Sequence, residues 1–433
     1  MSRLKVLVCA YACNPALGSE SAVGWNWVLA IARRHDVWVL TDRMHRPDIE
    51  AFAQAEPTAL SQVTFHYVAE RSWHYRHDSR LWDWLNHSFL RPAVNLAYLA
   101  WQRAAYREAL ALRSQVDFDL VHQLTLVGFR FPGLLWRLGL PFVWGPIGGL
   151  ENTPWRLFPA LGVQGAAYYA VRNLVNSAQK LLLQRPRRAL KAAAGGVIAA
   201  TSGIRREIQR TYGIDSTVIC EVTPPTLSQK DPIPRRHGEP LRLAWSGEHL
   251  PGKALPLLLD ALHGLAQAFD WTLDVYGSGP KTRRWRRTAA ELGLQPRCRW
   301  HGQVPRDVAI AGLRHAHLFV ITSLKDLTST VLLEALNQQV PVICPDHCGF
   351  SDVVNAECGI KLPIDTPEAF VIGLRDAITG LFRDEARRRH LAMGAGIRAR
   401  TFGLDAKAAQ IHAVYKRVLA QDHERLRENG DLA

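Results

Sequence analysis

A chain of 433 residues is long enough for two domains with full cores, and its 48% hydrophobic content excludes a disordered protein. Its longest uncharged apolar runs fall well short of a bilayer span, which argues against a membrane-crossing helix. The net charge is +14, of which residues 1–220 supply +10, from 25 Lys/Arg against 15 Asp/Glu. No nucleic-acid-binding signature accompanies that charge. An anionic membrane surface is the better partner, against a merely solvated basic face. The seven cysteines are scattered and odd in number, which suits free thiols in a reducing cytoplasm.

Residues 4–10 read as a first strand. The basic start of MSRLKVLVCAYAC imitates a signal peptide, but the apolar run is short and a small-residue loop follows at once. In that loop, residues 14–24, Gly18 lets backbone approach a ligand, and Ser19 or Ser21 can cap the next helix. Trp25, Val28, Leu29 and Ala32 give that helix its apolar face. Strands follow at 36–41 and 63–68. Residues 72–113 have a helical pattern in which Trp73, Tyr75, Trp82, Trp84, Phe89, Tyr98 and Trp101 mix with Arg76, Arg80, Arg91 and Arg103. That mixture suits a lipid headgroup boundary, core packing or an acceptor-binding wall. Residues 118–122 form a strand ending in His122, expected to face a ligand cleft. Asp117-Phe118-Asp119 is formally D-x-D, but it starts the strand and reads as an edge feature. Residues 141–149 carry another strand into a glycine turn. Residues 157–193 are mainly helical in pattern, apolar and basic, with Pro186 expected to kink or split them. Arg185, Arg187, Arg188 and Lys191 are the sharpest basic cluster of this half. A strand at 195–200 and a helix at 203–212, capped by Thr201 or Ser202, precede a proline-rich and charged linker, 223–240.

The pattern then starts afresh. A strand at 241–247 leads through Glu248 and His249 to Lys253, near a helix faced by Leu255, Leu258, Leu259 and Leu262. Lys253 is placed to hold a diphosphate or simply to stay solvated. Strands at 271–276 and 297–301 end in Gly277 and Gly302. Residues 318–346 read as strand, polar loop, helix and strand, a unit of parallel sheet whose ligand edge is the loop 325–330. That loop opens a helix whose free amides favour an anion. Asp326 in the loop and Glu334 in the helix are suited to accept hydrogen bonds from sugar hydroxyls. The plainer reading is an acidic helix terminus. Cys344, Cys348 and Cys358 lack a paired C-x-x-C knuckle, so no metal site is expected. Residues 404–422 are expected to cross back onto the first domain.

Together these segments resemble GT-B glycosyltransferases, and specifically family 4, glycosyltransferase group 1. Asp326 to Glu334 resembles the E-x7-E motif, with Asp for the first Glu. WSG…GKALPLLLDAL, VYGSGP, HGQVP and LEALNQQVPVICPDHCG fall in that family's order. YACNPALGSESAVGWNW, DLVHQLT, FRFP and WGPIGG resemble a bacterial subgroup linked to surface polysaccharide assembly. The resemblance implies α/β architecture, two Rossmann-like domains facing a cleft. It divides the chain into an acceptor domain (1–222), a linker (223–240), a donor domain (241–403) and a returning helix (404–433). It implies a retaining transferase that needs no metal or cofactor and takes a nucleotide-diphospho-sugar as donor. The acceptor would be a saccharide, lipid-linked, at the inner face of the cytoplasmic membrane. By the same resemblance, Glu334 holds the ribose, Asp326 faces the donor sugar, and Ser329 and Thr330 supply diphosphate-binding amides. Lys253 binds the diphosphate, Gly18 faces the phosphates, and His122 lies near the reacting sugar. Gly277 and Val304 fall in the donor-binding motifs VYGSGP and HGQVP. Glu248 departs from the pattern, since the family has Arg there, and His249 is expected to substitute in part. The rival readings are an epimerase or hydrolase on the same fold, and a degenerate sugar-nucleotide-binding subunit.

Overall fold

Short runs of Val, Leu, Ile and Phe, buried on both faces, form strands that pair in parallel throughout. The structure is a computed structural model that describes residues 3–69, 91–224 and 231–430. In the first half, β1 (Lys5–Ala10), β2 (Asp36–Asp42), β3 (Val63–Val68), β4 (Leu120–Thr125), β5 (Phe142–Ile147), β6 (Val197–Ala199) and β7 (Thr217–Val218) make one sheet in the order 3-2-1-4-5-6-7. In the second, β8 (Leu241–Ser246), β9 (Trp271–Tyr276), β10 (Cys298–Gly302), β11 (Leu318–Val320), β12 (Val342–Pro345) and β13 (Gly359–Leu362) make another, 10-9-8-11-12-13. The first half's helices are α1 (Ser19–Ala32), α2 (Arg46–Ala55), α3 (Arg91–Arg113), α4 (Gly162–Leu182), α5 (Gln184–Ala192) and α6 (Ser202–Tyr212). The second half's are α7 (Leu255–His263), α8 (Thr282–Glu291), α9 (Arg306–Arg314), α10 (Thr330–Asn337), α11 (Phe350–Val353), α12 (Pro367–Arg383), α13 (Glu385–Arg400) and α14 (Leu404–Gly430).

Each sheet reverses its strand order once, between β1 and β4 and between β8 and β11. Loops leaving neighbouring strands at such a point diverge, and the crevice between them is where open α/β sheets bind ligands. The loops after β1 and β4 belong to one domain, those after β8 and β11 to the other.

The two domains share a core. One apolar cluster joins β1, β2 and α1 to Ile411, Val414 and Tyr415 of α14, and continues to Leu332 and Leu336 of α10. The helix α14 packs along α1 of the first domain, with Asp405 paired to Arg33 at 2.7 Å and His412 bonded to His35 at 3.1 Å. The expected helix over 157–193 is broken at Leu183, whose backbone is extended, and Pro186 sits in the first turn of α5. Proline is tolerated there because a first-turn N–H has no helical partner. Of the aromatic–arginine stretch, residues 73–89 lie outside the described residues. For Tyr98 and Trp101 the core-packing alternative holds: they are 2% and 0% exposed and pack around Tyr11. All seven cysteines are buried and free.

Candidate active site

The cleft is lined from both domains. A cavity of about 260 Å³ lies between Ser19, Glu20 and Val127 on one side and residues 326–330 on the other, with Glu221 at its base. On the donor side, β11 ends at Val320 and a polar loop runs to Ser329, which precedes α10 without a side-chain cap. The first amides of α10 therefore remain available to an anion. Asp326 lies in this loop and pairs with Lys253 at 2.5 Å, each about one-fifth exposed. Lys253 ends a short turn, residues 251–253, after β8. The crossing of β8 and β11 at the switch point thus brings these two residues, 73 apart in sequence, into contact.

Glu334 follows on α10, 8% exposed at its side chain, and accepts from Arg306 Nε at 2.7 Å. Arg306 opens α9, two residues after the half-buried Val304. Gly277 has φ +105°, and a Cβ there would stand 2.1 Å from the Gly247 carbonyl oxygen. Its glycine is needed so that the loops after β8 and β9 can touch. Glu248 is exposed at the turn before Lys253. Gly18 is exposed and directly precedes α1, with open space around its Cα.

Two expectations are corrected. His122 does not face the cleft, because β4 runs three residues beyond it. Its ring is 0% exposed, with Nε2 2.8 Å from the Gly145 carbonyl and Nδ1 2.7 Å from the Tyr415 hydroxyl. Nε2 must donate to the carbonyl, so Nδ1 accepts from the tyrosine and the ring is neutral. Burial pulls its pKa down to about 4. His249 likewise cannot serve as a cation beside a diphosphate. It is 0% exposed among Trp245, Trp285 and Trp300, bonds Thr282 through Nδ1 at 2.8 Å, and is pulled to about 4 by burial and then Arg286. The D-x-D pair lies at the opposite edge, where Asp119 accepts from the Lys5 amide.

Sequence reasoning missed Arg306, Glu20, Glu221 and Lys325. Glu20 accepts from the Val127 amide and so ties α1 to the loop after β4. Lys325 donates to the Glu151 carbonyl at 2.7 Å, bridging the domains. Burial lowers its pKa. Glu221 accepts from the Thr328 amide at 2.7 Å, and burial pushes its carboxyl up to about 7. Glu20 falls in the stretch YACNPALGSESAVGWNW and Lys325 in the loop 325–330, whereas Arg306 and Glu221 belong to no motif; contacts between distant loops give all four their partners.

Residues 240–380 match the model of the family described as "Glycosyl transferases group 1". The chain is 31% identical over 172 residues to the phosphatidyl-myo-inositol mannosyltransferase of Mycobacterium leprae, covering 39% of this chain and 44% of that one. It is 29% identical over 149 residues to the D-inositol 3-phosphate glycosyltransferase of Corynebacterium glutamicum, covering 34% and 35%. The matched stretch thus spans less than half the length of either relative. Solved structures are similar over nearly all of both chains. The lipopolysaccharide outer core galactosyltransferase WaaB superposes with a TM-score of 0.59 at 14% identity, covering 95% of this chain and 99% of its own. Sucrose-phosphate synthase from Thermosynechococcus elongatus gives 0.61 at 16%, covering 97% and 100%. Anabaena HepE in complex with UDP and glucose gives 0.54 at 14%, covering 96% and 100%. The chain therefore carries a glycosyl transferases group 1 domain, residues 240–380, within a two-domain GT-B fold.

Proposed function

We propose that this protein is a retaining, metal-independent glycosyltransferase of family 4. It moves a sugar from a nucleotide-diphospho-sugar to a lipid-linked saccharide during surface polysaccharide assembly at the inner face of the cytoplasmic membrane. The observation that carries the reading is the meeting of Lys253, Asp326 and the uncapped start of α10 at the second sheet's switch point. Charge develops on the leaving diphosphate as the glycosidic bond breaks. An ammonium and fixed amides in a cleft stabilise that charge without reorganising. Asp326 holds Lys253 in place before the donor arrives, and the diphosphate then takes over the ammonium. Released from the pair, Asp326 turns to the donor sugar. Glu334, paired with Arg306, offers its carboxylate to the ribose hydroxyls. His122 takes no part. The names of the inositol-directed relatives and the complex of the structural neighbour with UDP and glucose support a nucleotide-sugar donor and a polyol or saccharide acceptor.

Calorimetry with UDP, GDP and ADP tests the reading. One of the three is expected to bind. Glu334→Gln is expected to lose about 1.5–3 kcal/mol of that binding, the range for hydrogen bonds to charged groups. Asp326→Asn should spare the free diphosphate and impair use of the intact donor. If Glu334→Gln binds as tightly as the parent, the donor site lies elsewhere. Product analysis without acceptor separates transfer from hydrolysis and epimerisation.

A further inference from the structure

The helix α4 is built inside out. At about 100° per residue its side chains sort into two faces. The face turned to the protein buries Gly165, Tyr169, Asn173, Asn176 and Lys180. Asn173 exchanges two hydrogen bonds with the Thr153 backbone, at 3.0 and 2.8 Å. Asn176 donates to the Leu150 carbonyl and to Asn152, both at 2.9 Å, and accepts from Arg130. Lys180 pairs with Glu207 at 2.5 Å. The outward arc, roughly 140° wide, carries Val163, Tyr168, Val171, Leu174, Leu181 and Leu182. Each is more than half exposed, Val163 reaching 87%. Val175 and two alanines fill the gaps, and Gln164 is the arc's one polar member. A helix of a soluble domain turns its apolar stripe to the core. Here polar bonds anchor the helix and the apolar stripe faces outward for its whole length, about 30 Å. An exposed apolar patch of that extent marks an interaction surface.

The charge around the stripe selects the partner. Residues 152–206 contain no Asp or Glu. The next helix, α5, carries Arg185, Arg187, Arg188 and Lys191, with Arg188 and Lys191 exposed. Arg185 lies close enough to Arg103 and Arg137 to feel their charge. Such a surface offers a second copy of itself no counter-charge. An anionic bilayer supplies both an apolar interior and negative headgroups. The other end of α4 abuts the cleft mouth. Gly165 packs on Pro251, and Gly252, beside Lys253, packs on the Tyr169 ring.

We propose that the outward face of α4, with the basic cluster of α5, docks on an anionic membrane surface, the helix lying in the interface and the cleft mouth brought to the lipid. This deepens the membrane part of the reading above and is independent of the transfer chemistry. The test is flotation of the full chain with vesicles of phosphatidylcholine alone and mixed with phosphatidylglycerol, at low and high salt. The parent is expected to bind the mixed vesicles and to release at high salt. Leu174→Glu/Leu182→Glu and Arg187→Glu/Arg188→Glu are each expected to weaken binding at least about tenfold. Leu174, Leu182 and Arg188 are exposed and Arg187 is half-buried, so the circular dichroism spectrum and melting temperature should match the parent's. Equal binding to the neutral vesicles, or undiminished binding by the leucine variant, overturns the proposal. So does a parent dimer, in sedimentation without lipid, that the leucine variant dissociates. A parent that binds vesicles but none of the nucleotide diphosphates keeps this inference and sinks the transfer reading.

Discussion

His122 and Glu221 are both buried polar side chains of the first domain, and their surroundings give them different consequences. The imidazole of His122 satisfies the Gly145 carbonyl and the Tyr415 hydroxyl in a sealed core. His122→Ala leaves both groups unpaired and opens a cavity, so it is expected to cost about 2–4 kcal/mol of stability. Turnover per folded molecule should stay near the parent's. Urea denaturation and active-site-normalised kinetics check the two halves, and a large fall in kcat with stability intact would return His122 to the reaction. Glu221 also sits in a dry place, but it lines the cleft cavity and holds the Thr328 amide. Its folded pKa, about 7, lies above the unfolded value near 4.5, so folding favours the protonated acid. The stability it contributes is full below the unfolded pKa and is lost as pH rises through about 7. Glu221→Gln keeps an acceptor oxygen for Thr328 and removes the titration. Relative to the parent, the variant is therefore expected to gain stability between pH 5 and pH 8. Thermal melts of both proteins across that range measure the gain, and parallel curves would contradict it.

At the scale of elements, α4 and the two switch-point loops show what a sequence makes legible. Short apolar runs such as those of β1, β8 and β9, bounded by loop residues, specify buried strands, so the two-sheet architecture could be read directly. The contact of Lys253 with Asp326 was legible because each follows a strand end, and parallel sheets gather those ends on one edge; Glu334 was assigned to the same edge only by the E-x7-E resemblance. His122 was misplaced because the polar Gln123 and Thr125 hid the last residues of β4, which are buried all the same. Arg306 escaped notice because its partner Glu334 is set by the packing of α9 against α10, which no local pattern encodes. In α4, periodicity reveals an apolar face but not which way it points. The inversion becomes visible only once Asn173 and Asn176 are seen bonded inward. It makes an unusual expectation about substitution. Asn176→Ala strands the Leu150 carbonyl and takes one of two side-chain acceptors from Arg130, which keeps Gln179, and is expected to cost about 2–4 kcal/mol. Val171→Gln, on the outward arc, should change stability by no more than about 0.5 kcal/mol. Urea midpoints in the reverse order would mean that the apolar face is the packed one.

At the scale of the molecule, the domains are joined where the chain leaves the first domain and returns to it. The cation of Lys407 in α14 donates to the Cys220 and Val222 carbonyls and stands 4.8 Å above the centre of the Trp27 ring. The Trp27 indole donates to the Glu221 carbonyl, and the Glu221 carboxyl reaches across to Thr328 of the donor domain. One buried seam therefore links α1, the crossover at 220–222, the returning helix and the loop that precedes α10. Burial pulls Lys407 down to about 8, with Cys220 and Glu221 opposing the fall, and its charge in turn helps to hold Glu221 ionised. Lys407→Met removes the cation, leaves two carbonyls unpaired and abandons Glu221 in a low-dielectric site. Breaking a buried charged contact from one side costs about 3–5 kcal/mol, and the loss here is expected to fall in that range at pH 8. Neutralising the abandoned acid should return part of it. Lys407→Met/Glu221→Gln is expected to be more stable than the sum of the single changes allows, by a coupling of about 0.5–3 kcal/mol. At pH 5, where the lone Glu221 binds its proton anyway, the coupling should shrink. Urea denaturation of the four proteins at both pH values measures it, and strict additivity at pH 8 would show that the two charges do not meet across the seam.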